Sequence, residues 1–151
     1  MSKFNYRAMS LYSDKNGTLY AIPKGLNPHS NADADIDILN ILEPLYSDSD
    51  VENLIFKTLD QWCTKTVADF NSIGSLEKHF GVKRWSTAVR ELKYVDVVWD
   101  KNEGYSIMPT SKAPKAGYSF LVEKEIKLGL NPKPGELAAA IRQAIEEATT
   151  Y

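Results

Sequence analysis

The sequence is short of the residues that most often carry enzymatic chemistry. It has 151 residues with one cysteine and two histidines, and its eight glycines are scattered rather than gathered into a phosphate-binding loop. Cys63 has no partner for a disulfide within the chain, and its apolar surroundings predict a buried, inert thiol. His29 and His79 lie far apart in sequence, outside any metalloprotease or serine-hydrolase motif. These absences predict a protein that is not an enzyme and that holds no cofactor.

Long apolar runs are also lacking. No stretch approaches the ~18 apolar residues that a membrane-spanning helix needs, and the N-terminus lacks the apolar core of a secretory signal. With 43% hydrophobic and 25% charged residues, the composition is that of an ordinary globular protein. We therefore expect a cytoplasmic protein, away from membranes, in which residues 1–151 form one domain.

Charge, in contrast, is abundant and unevenly placed. Residues 31–60 hold eight acidic residues and one basic residue, a net of about −7 in a chain whose total is −2. Such segregation predicts a partner of opposite charge. We expect this stretch to form an acidic binding surface, with an aromatic side chain as a candidate anchor. The predicted contact residues are Asp33, Asp35, Asp37, Tyr46, Asp48, Asp50 and Glu52.

The alternating acids at 33, 35 and 37 have a second interpretation. Clustered carboxylates are ligands for hard divalent cations. The segment lacks the glycine and the distal glutamate of a calcium-binding EF-hand, and it lacks the histidine or cysteine that zinc favours. We therefore predict no metal site, and we interpret these residues as solvated, helix-capping or docking acids.

A basic segment supports an alternative function. Residues 76–92 can be read as helix, turn and helix, followed by a hairpin over 94–108, which is the order of a winged helix. Its candidate phosphate contacts are Lys83, Arg84, Arg90 and Lys93. The overall acidic balance argues against nucleic acid as the main ligand.

Periodicity along the chain predicts an α+β fold. We expect an N-terminal hairpin whose second strand ends at Pro23, a loop over 24–34 and a partly helical segment over 36–45. Helices are expected from about residue 50 to 63, over 76–80, over 84–92 with Trp85 facing inward, and after 135. A hairpin is expected with strands over 94–100 and 105–109, and one or two further strands are expected over 118–122 and 125–128. The prediction is an antiparallel sheet, built from the N-terminal hairpin and a C-terminal set of strands, packed with several helices.

Three phrases of this sequence resemble the immunity proteins of bacterial contact-dependent growth inhibition systems. The first hairpin ends in LYAIPKG, and a middle segment runs from helix to hairpin in RELKYVDVVWDKNEGYSIMPT. The chain closes with GYSFLVEKEIKLGL followed by the amphipathic helix ELAAAIRQAIEEA. The resemblance covers roughly the first 25 and the last 75 residues and includes no catalytic motif.

This resemblance implies a cytoplasmic protein that binds a cognate toxin domain and neutralises it without catalysis. Toxins in such systems are often nucleases, which need a basic surface to hold a phosphate backbone. An acidic surface on the immunity protein would meet that basic domain through complementary fields.

Overall fold

The computed structural model describes residues 5–67, 72–113 and 117–150. Within these residues, eight strands and four helices make up the fold, and a single 3₁₀ turn covers Val122–Lys124. The strands are β1 (Tyr6–Ser13), β2 (Leu19–Leu26), β3 (Asp33–Asp35), β4 (Asn40–Leu42), β5 (Lys93–Asp100), β6 (Gly104–Lys112), β7 (Tyr118–Phe120) and β8 (Ile126–Gly129). The helices are α1 (Asp48–Asp60), α2 (Ser75–Phe80), α3 (Trp85–Ala88) and α4 (Glu136–Glu147). The predicted α+β fold is confirmed.

The strands form one antiparallel sheet whose centre runs β2-β1-β5-β6. Strands β3 and β4 both pair with β2, and β7 and β8 both pair with β6. The two predicted hairpins are present as β1–β2 and β5–β6, and the β1–β5 pairing joins them side by side. Residues that are far apart in sequence therefore share one surface.

One face of the sheet packs against α1 and α4. Alternate residues of the strands, such as Met9 and Val97, point into this core together with Ile55 of α1 and Ile141 of α4. All four of these side chains are fully buried. Both helices place one apolar stripe on the sheet, as their sequence period predicts.

The opposite face carries a second, smaller core at one end. Tyr12 and Tyr94 stack there at 5.1 Å between ring centroids, and Leu76, Val89 and Leu92 from the α2–α3 region cover them. Towards the other end of the same face, the strands present polar and half-buried side chains. We call this second area the open sheet face; it includes Tyr6, Lys24, Asp96, Ser106 and Met108.

Three local predictions on the first half of the chain are wrong. Strand β2 does not end at Pro23 but continues to Leu26, because the strand exchanges its pairing with β1 for pairing with β3 beyond that point. The carbonyl of Pro23 accepts a hydrogen bond from the backbone N–H of Ile36. The expected loop over 24–34 and helical segment over 36–45 are thus partly replaced by the short strands β3 and β4.

The segment expected to form a helix over 84–92 is helical only at Trp85–Ala88. Ala88, Val89 and Leu92 are buried as predicted, but Trp85 remains 43% exposed. Helix α3 ends at Ala88, and the turn that follows it carries Val89 and Leu92 inward.

Gly104 opens β6 in a position that excludes a side chain. Its φ is +85°, and a Cβ atom there would stand 2.0 Å from the carbonyl carbon of Gly129. We expect Gly104→Ala to lower the free energy of unfolding by about 3 kcal/mol, because backbone strain and steric overlap add. Urea unfolding monitored by circular dichroism measures this change.

The matched control is Gly129→Ala on the other side of the same contact. Gly129 has a φ of +76°, but a Cβ atom added there would meet no other atom within 4 Å, so its substitution adds strain without overlap. A smaller loss, about 1 kcal/mol, is expected. If both variants lost the same free energy of unfolding, steric overlap with the Gly129 backbone would not be the cause of the loss at Gly104.

Candidate binding surface

A buried ion pair spans three strands of the open sheet face. Lys24 on β2 and Asp96 on β5 lie on either side of β1, and Lys24 Nζ reaches Asp96 Oδ1 at 3.0 Å. The side chains are only 12% and 13% exposed. Neighbouring strands are about 4.8 Å apart, so the lysine has to extend across a full strand. It can do so because β1 presents the small side chains of Ala8 and Ser10 at this level.

Further polar side chains complete this network. The hydroxyl of Tyr94 donates to Asp96 Oδ1 at 3.0 Å, and Lys24 Nζ donates to the same hydroxyl oxygen at 3.2 Å. The Ser10 hydroxyl donates to Asp35 Oδ1 at 2.7 Å. No buried side-chain nitrogen or oxygen of the described residues is left without a partner. A satisfied network of this kind holds its members in fixed positions.

The protonation states follow from burial and charge. Burial alone would lower the pKa of Lys24, but the carboxylates of Asp96 and Asp35 outweigh it and raise that pKa above 10.5. Burial raises the pKa of Asp35 above its ordinary value, and Lys24 offsets only part of this effect. Burial and then the Asp96 carboxylate raise the pKa of Tyr94 well above 10.0. Lys24 is therefore a permanent cation at neutral pH, and Tyr94 remains a hydrogen-bond donor.

Beside this network lies a cleft of about 220 Å³, which we call the acidic sheet cleft. Its uncharged lining includes Tyr6, Ser106 and Met108, and its one ammonium belongs to Lys127. Four carboxylates line it: those of Asp96, Asp100, Glu103 and Glu125. Asp33 adjoins the cleft, since Tyr6 donates a hydrogen bond to Asp33 Oδ2 at 3.1 Å. The surface is acidic because carboxylates from separate segments of the chain converge on it.

Two of these four carboxylates form no ion pair among the described residues. Asp96 is neutralised by Lys24, and Glu125 lies 3.7 Å from the ammonium of Lys127. Asp100 uses Oδ1 to accept backbone N–H groups of the turn that follows it. Within residues 5–67, 72–113 and 117–150, neither Asp100 nor Glu103 forms an ion pair.

The structure divides the predicted contact residues between separate places. Asp33 and Asp35, on the edge strand β3, belong to the open sheet face. Asp37 instead pairs with Lys78 of α2 at 2.7 Å. The remaining four lie near the starts of α1 and α4, the helices that pack on the opposite face of the sheet.

Those four residues have local structural partners. Asp50 and Ser47 form a capping box at the start of α1, and Asp48 pairs with Arg142 at 3.0 Å. Glu52 accepts hydrogen bonds from the N–H groups of Gly135 and Ala138, where α4 begins. Tyr46 donates to the carbonyl of Gly17 at 2.8 Å, and Arg142 lies over its ring. Much of the acidity between residues 46 and 52 therefore serves the N-termini of two helices.

Sequence reasoning missed the acids contributed by the second half of the chain. Asp96, Asp100, Glu103 and Glu125 lie outside the acidic stretch and become neighbours only through the sheet. The available signal was strand alternation: Asp96, Val98 and Asp100 share one face of β5. Combined with the predicted hairpin, this alternation would have placed an acidic row on one side of the sheet.

Several predicted properties can be compared directly with the structure. Cys63 is partly exposed rather than buried, and it has a positive φ of 58°. Within the described ranges, histidine, cysteine and acidic side chains form no group of three suited to a metal ion. In the same part of the chain, every helix is too short or too polar to cross a bilayer.

The elements of the winged-helix interpretation have a different geometry. The β5–β6 hairpin lies inside the sheet, with β1 on one side and β7 and β8 on the other, instead of projecting as a wing. Helix α3 has four residues, too few to lie along a major groove. Lys93 donates to the carbonyl of Ile145 in α4 at 2.9 Å. Neither the β5–β6 hairpin nor helix α3 is placed as a winged helix would need for binding nucleic acid.

Comparison with known proteins identifies the fold. No protein-family model and no curated protein sequence matches this chain. The chain is similar to a solved structure of a protein of unknown function, NMB0488 from Neisseria meningitidis. The TM-score is 0.71 at 10% sequence identity, and the match covers 99% of each chain. At this identity, the likeness concerns the fold alone.

The buried ion pair provides a stability test. We expect Lys24→Met to lower the free energy of unfolding by about 3 kcal/mol at neutral pH, since Asp96 would keep a buried and unpaired charge. The loss should shrink at mildly acidic pH, where Asp35, whose pKa burial raises, can protonate in the variant. In the native protein the raised pKa of Lys24 stabilises the fold fully below pH 10.5, and this contribution disappears as the pH rises above that value. Urea unfolding across this pH range measures each effect.

Lys78→Met is the control for an exposed ion pair. Lys78 and Asp37 are 57% and 42% exposed, so water screens their attraction and the expected loss is below about 1 kcal/mol. If Lys24→Met lowers the free energy of unfolding no more than Lys78→Met does, a structural role for the buried ion pair is contradicted.

Proposed function

We propose that this chain is an immunity protein that binds and neutralises the cognate toxin domain of a contact-dependent growth inhibition system. It acts without catalysis, by occupying a surface of the toxin. The sequence resemblance in the first 25 and last 75 residues supports this assignment. The observation that carries it furthest is the convergence of carboxylates from four segments of the chain on the acidic sheet cleft.

The chemistry of this surface fits a basic protein partner. Asp100 lies on the central strand β5 and Asp33 on the edge strand β3, while Glu103 and Glu125 lie in the connections next to β6 and β8. Residues held next to an antiparallel sheet lose little conformational freedom when a partner binds. Tyr6 and Met108 add half-buried apolar area between the charges. Aromatic and apolar contacts surrounded by charge are typical of protein interfaces, where complementary charge increases the association rate.

The partner toxin domain is basic, as a nuclease has to be in order to hold a phosphate backbone. Such a toxin acts on cellular nucleic acid, so the immunity protein would work in the cytoplasm. The proposed contact centres on Asp33, Asp100, Glu103 and Glu125. The other predicted residues, near the starts of α1 and α4, form a second acidic area that the same experiment can test.

A charge-neutralised variant tests this surface. In Asp33→Asn/Asp100→Asn/Glu103→Gln/Glu125→Gln, the association rate with the cognate toxin domain should fall about 10-fold at low salt. Its salt dependence should also weaken, because fewer charges steer the encounter. Surface plasmon resonance at several salt concentrations measures both effects.

A control variant and a test of the native chain show which surface binds the toxin domain. Asp48→Asn/Asp50→Asn/Glu43→Gln/Glu146→Gln removes the same charge from other elements and should leave association nearly unchanged. If that variant loses binding while the cleft variant does not, the contact surface is the one near α1 and α4, and the cleft assignment is wrong. If the native chain neither binds the toxin nor protects cells that express it, the immunity function itself is wrong.

A further inference from the structure

The segment around α3 concentrates cations that have no acidic partner. Lys83, Arg84 and Arg90 are exposed, and within the described residues none of them forms an ion pair. Several cations elsewhere are paired; Arg7, Lys24, Lys78, Lys124, Lys127 and Arg142 each contact a carboxylate within 4.0 Å. The short helix thus stands between unneutralised positive charges at both of its ends.

A further cation approaches the same helix from β6. Lys112 Nζ donates to the carbonyl of Val89 at 2.8 Å and to that of Arg90 at 3.3 Å. Burial and then the nearby charge of Arg90 lower the pKa of Lys112 below 10.5. Two like charges therefore lie close enough to repel each other.

Helix α3 also carries an exposed aromatic ring. Trp85 is 43% exposed, and its ring meets Tyr118 edge to face at 6.0 Å between centroids. Phe80, at the end of α2, is 38% exposed. The contact with Tyr118 restricts the orientation of the Trp85 ring while leaving part of it open to solvent. We call Lys83, Arg84, Trp85, Arg90 and Lys112 the α3 cationic surface.

The arrangement of these residues suits a polyanion that also carries flat groups. Arg84 and Arg90 flank the short helix α3, which begins with Trp85. The Tyr118 ring meets Trp85 and also lies 5.2 Å from Lys112 Nζ, so the aromatic ring and the cations share one region. Proteins that bind single-stranded nucleic acid combine cations along the backbone with aromatic rings on which bases stack. An acidic protein segment would satisfy the cations, but it would leave Trp85 without a stacking partner.

We propose that the α3 cationic surface binds single-stranded nucleic acid, with phosphates at Lys83, Arg84 and Arg90 and a base stacked on Trp85. This binding is separate from the acidic sheet cleft and does not depend on the immunity function. It also differs from the winged-helix mode, since no helix enters a groove. The sequence preference is weak, because stacking accepts any base.

Fluorescence anisotropy with labelled oligouridine and oligothymidine tests the proposal on the purified chain. Binding is expected at low salt, with a slope of log K against log salt near −2 if about three phosphates are neutralised. Lys83→Gln/Arg84→Gln/Arg90→Gln should weaken binding at least about 10-fold and bring the slope towards zero. Trp85→Leu should weaken binding about 10-fold while leaving the slope unchanged, because it removes stacking and no charge.

The charge-matched control is Lys57→Gln/Lys101→Gln/Lys133→Gln, which removes three exposed cations from other elements and should leave binding intact. Circular dichroism shows whether each variant is folded. The proposal is overturned if the native chain does not bind at low salt, or if the control weakens binding as much as the α3 variant. It is also overturned if polyglutamate competes as well as oligouridine, which would identify an acidic protein segment as the occupant.

Discussion

The pairing of β1 with β5 is the contact on which the rest of the structure depends. It runs from Tyr6 opposite Asp100 to Ser13 opposite Lys93, and it joins the N-terminal hairpin to strands formed some eighty residues later. Without it, Lys24 would have no Asp96 to reach, and Tyr12 would have no Tyr94 on which to stack. The same register sets Tyr6 beside the acids of the β5–β6 hairpin, and so creates the acidic sheet cleft.

Charge has two separate roles in this molecule. Inside, Lys24 neutralises Asp96 and lies close to Asp35, so that a polar network can remain within a sheet face. At the starts of α1 and α4, Asp50 and Glu52 satisfy backbone N–H groups. On the surface, Asp100 and Glu103 form no ion pair with any described residue. The same is true of Arg84 and Arg90 near helix α3. We propose that these charges take part in recognising partners.

Periodicity predicted the hairpins, the long helices and the α+β class because those elements are specified by local patterns. It failed over residues 24–45, where short edge strands form only because β2 offers them a partner. For the same reason, only part of the candidate site could be predicted from the sequence. Asp33 and Asp35 were found from composition, whereas Asp100 and Glu125 join them only through pairing between distant strands, which no count along the chain can reveal.

The central claim is that a basic toxin domain docks on the acidic sheet cleft. Nuclear magnetic resonance of the isotopically labelled chain, titrated with the cognate toxin domain, tests it most directly. The account predicts that the largest chemical-shift changes fall on Tyr6, Asp100, Glu103, Ser106 and Glu125. Changes concentrated on α1 and α4, with these five residues unaffected, would contradict it.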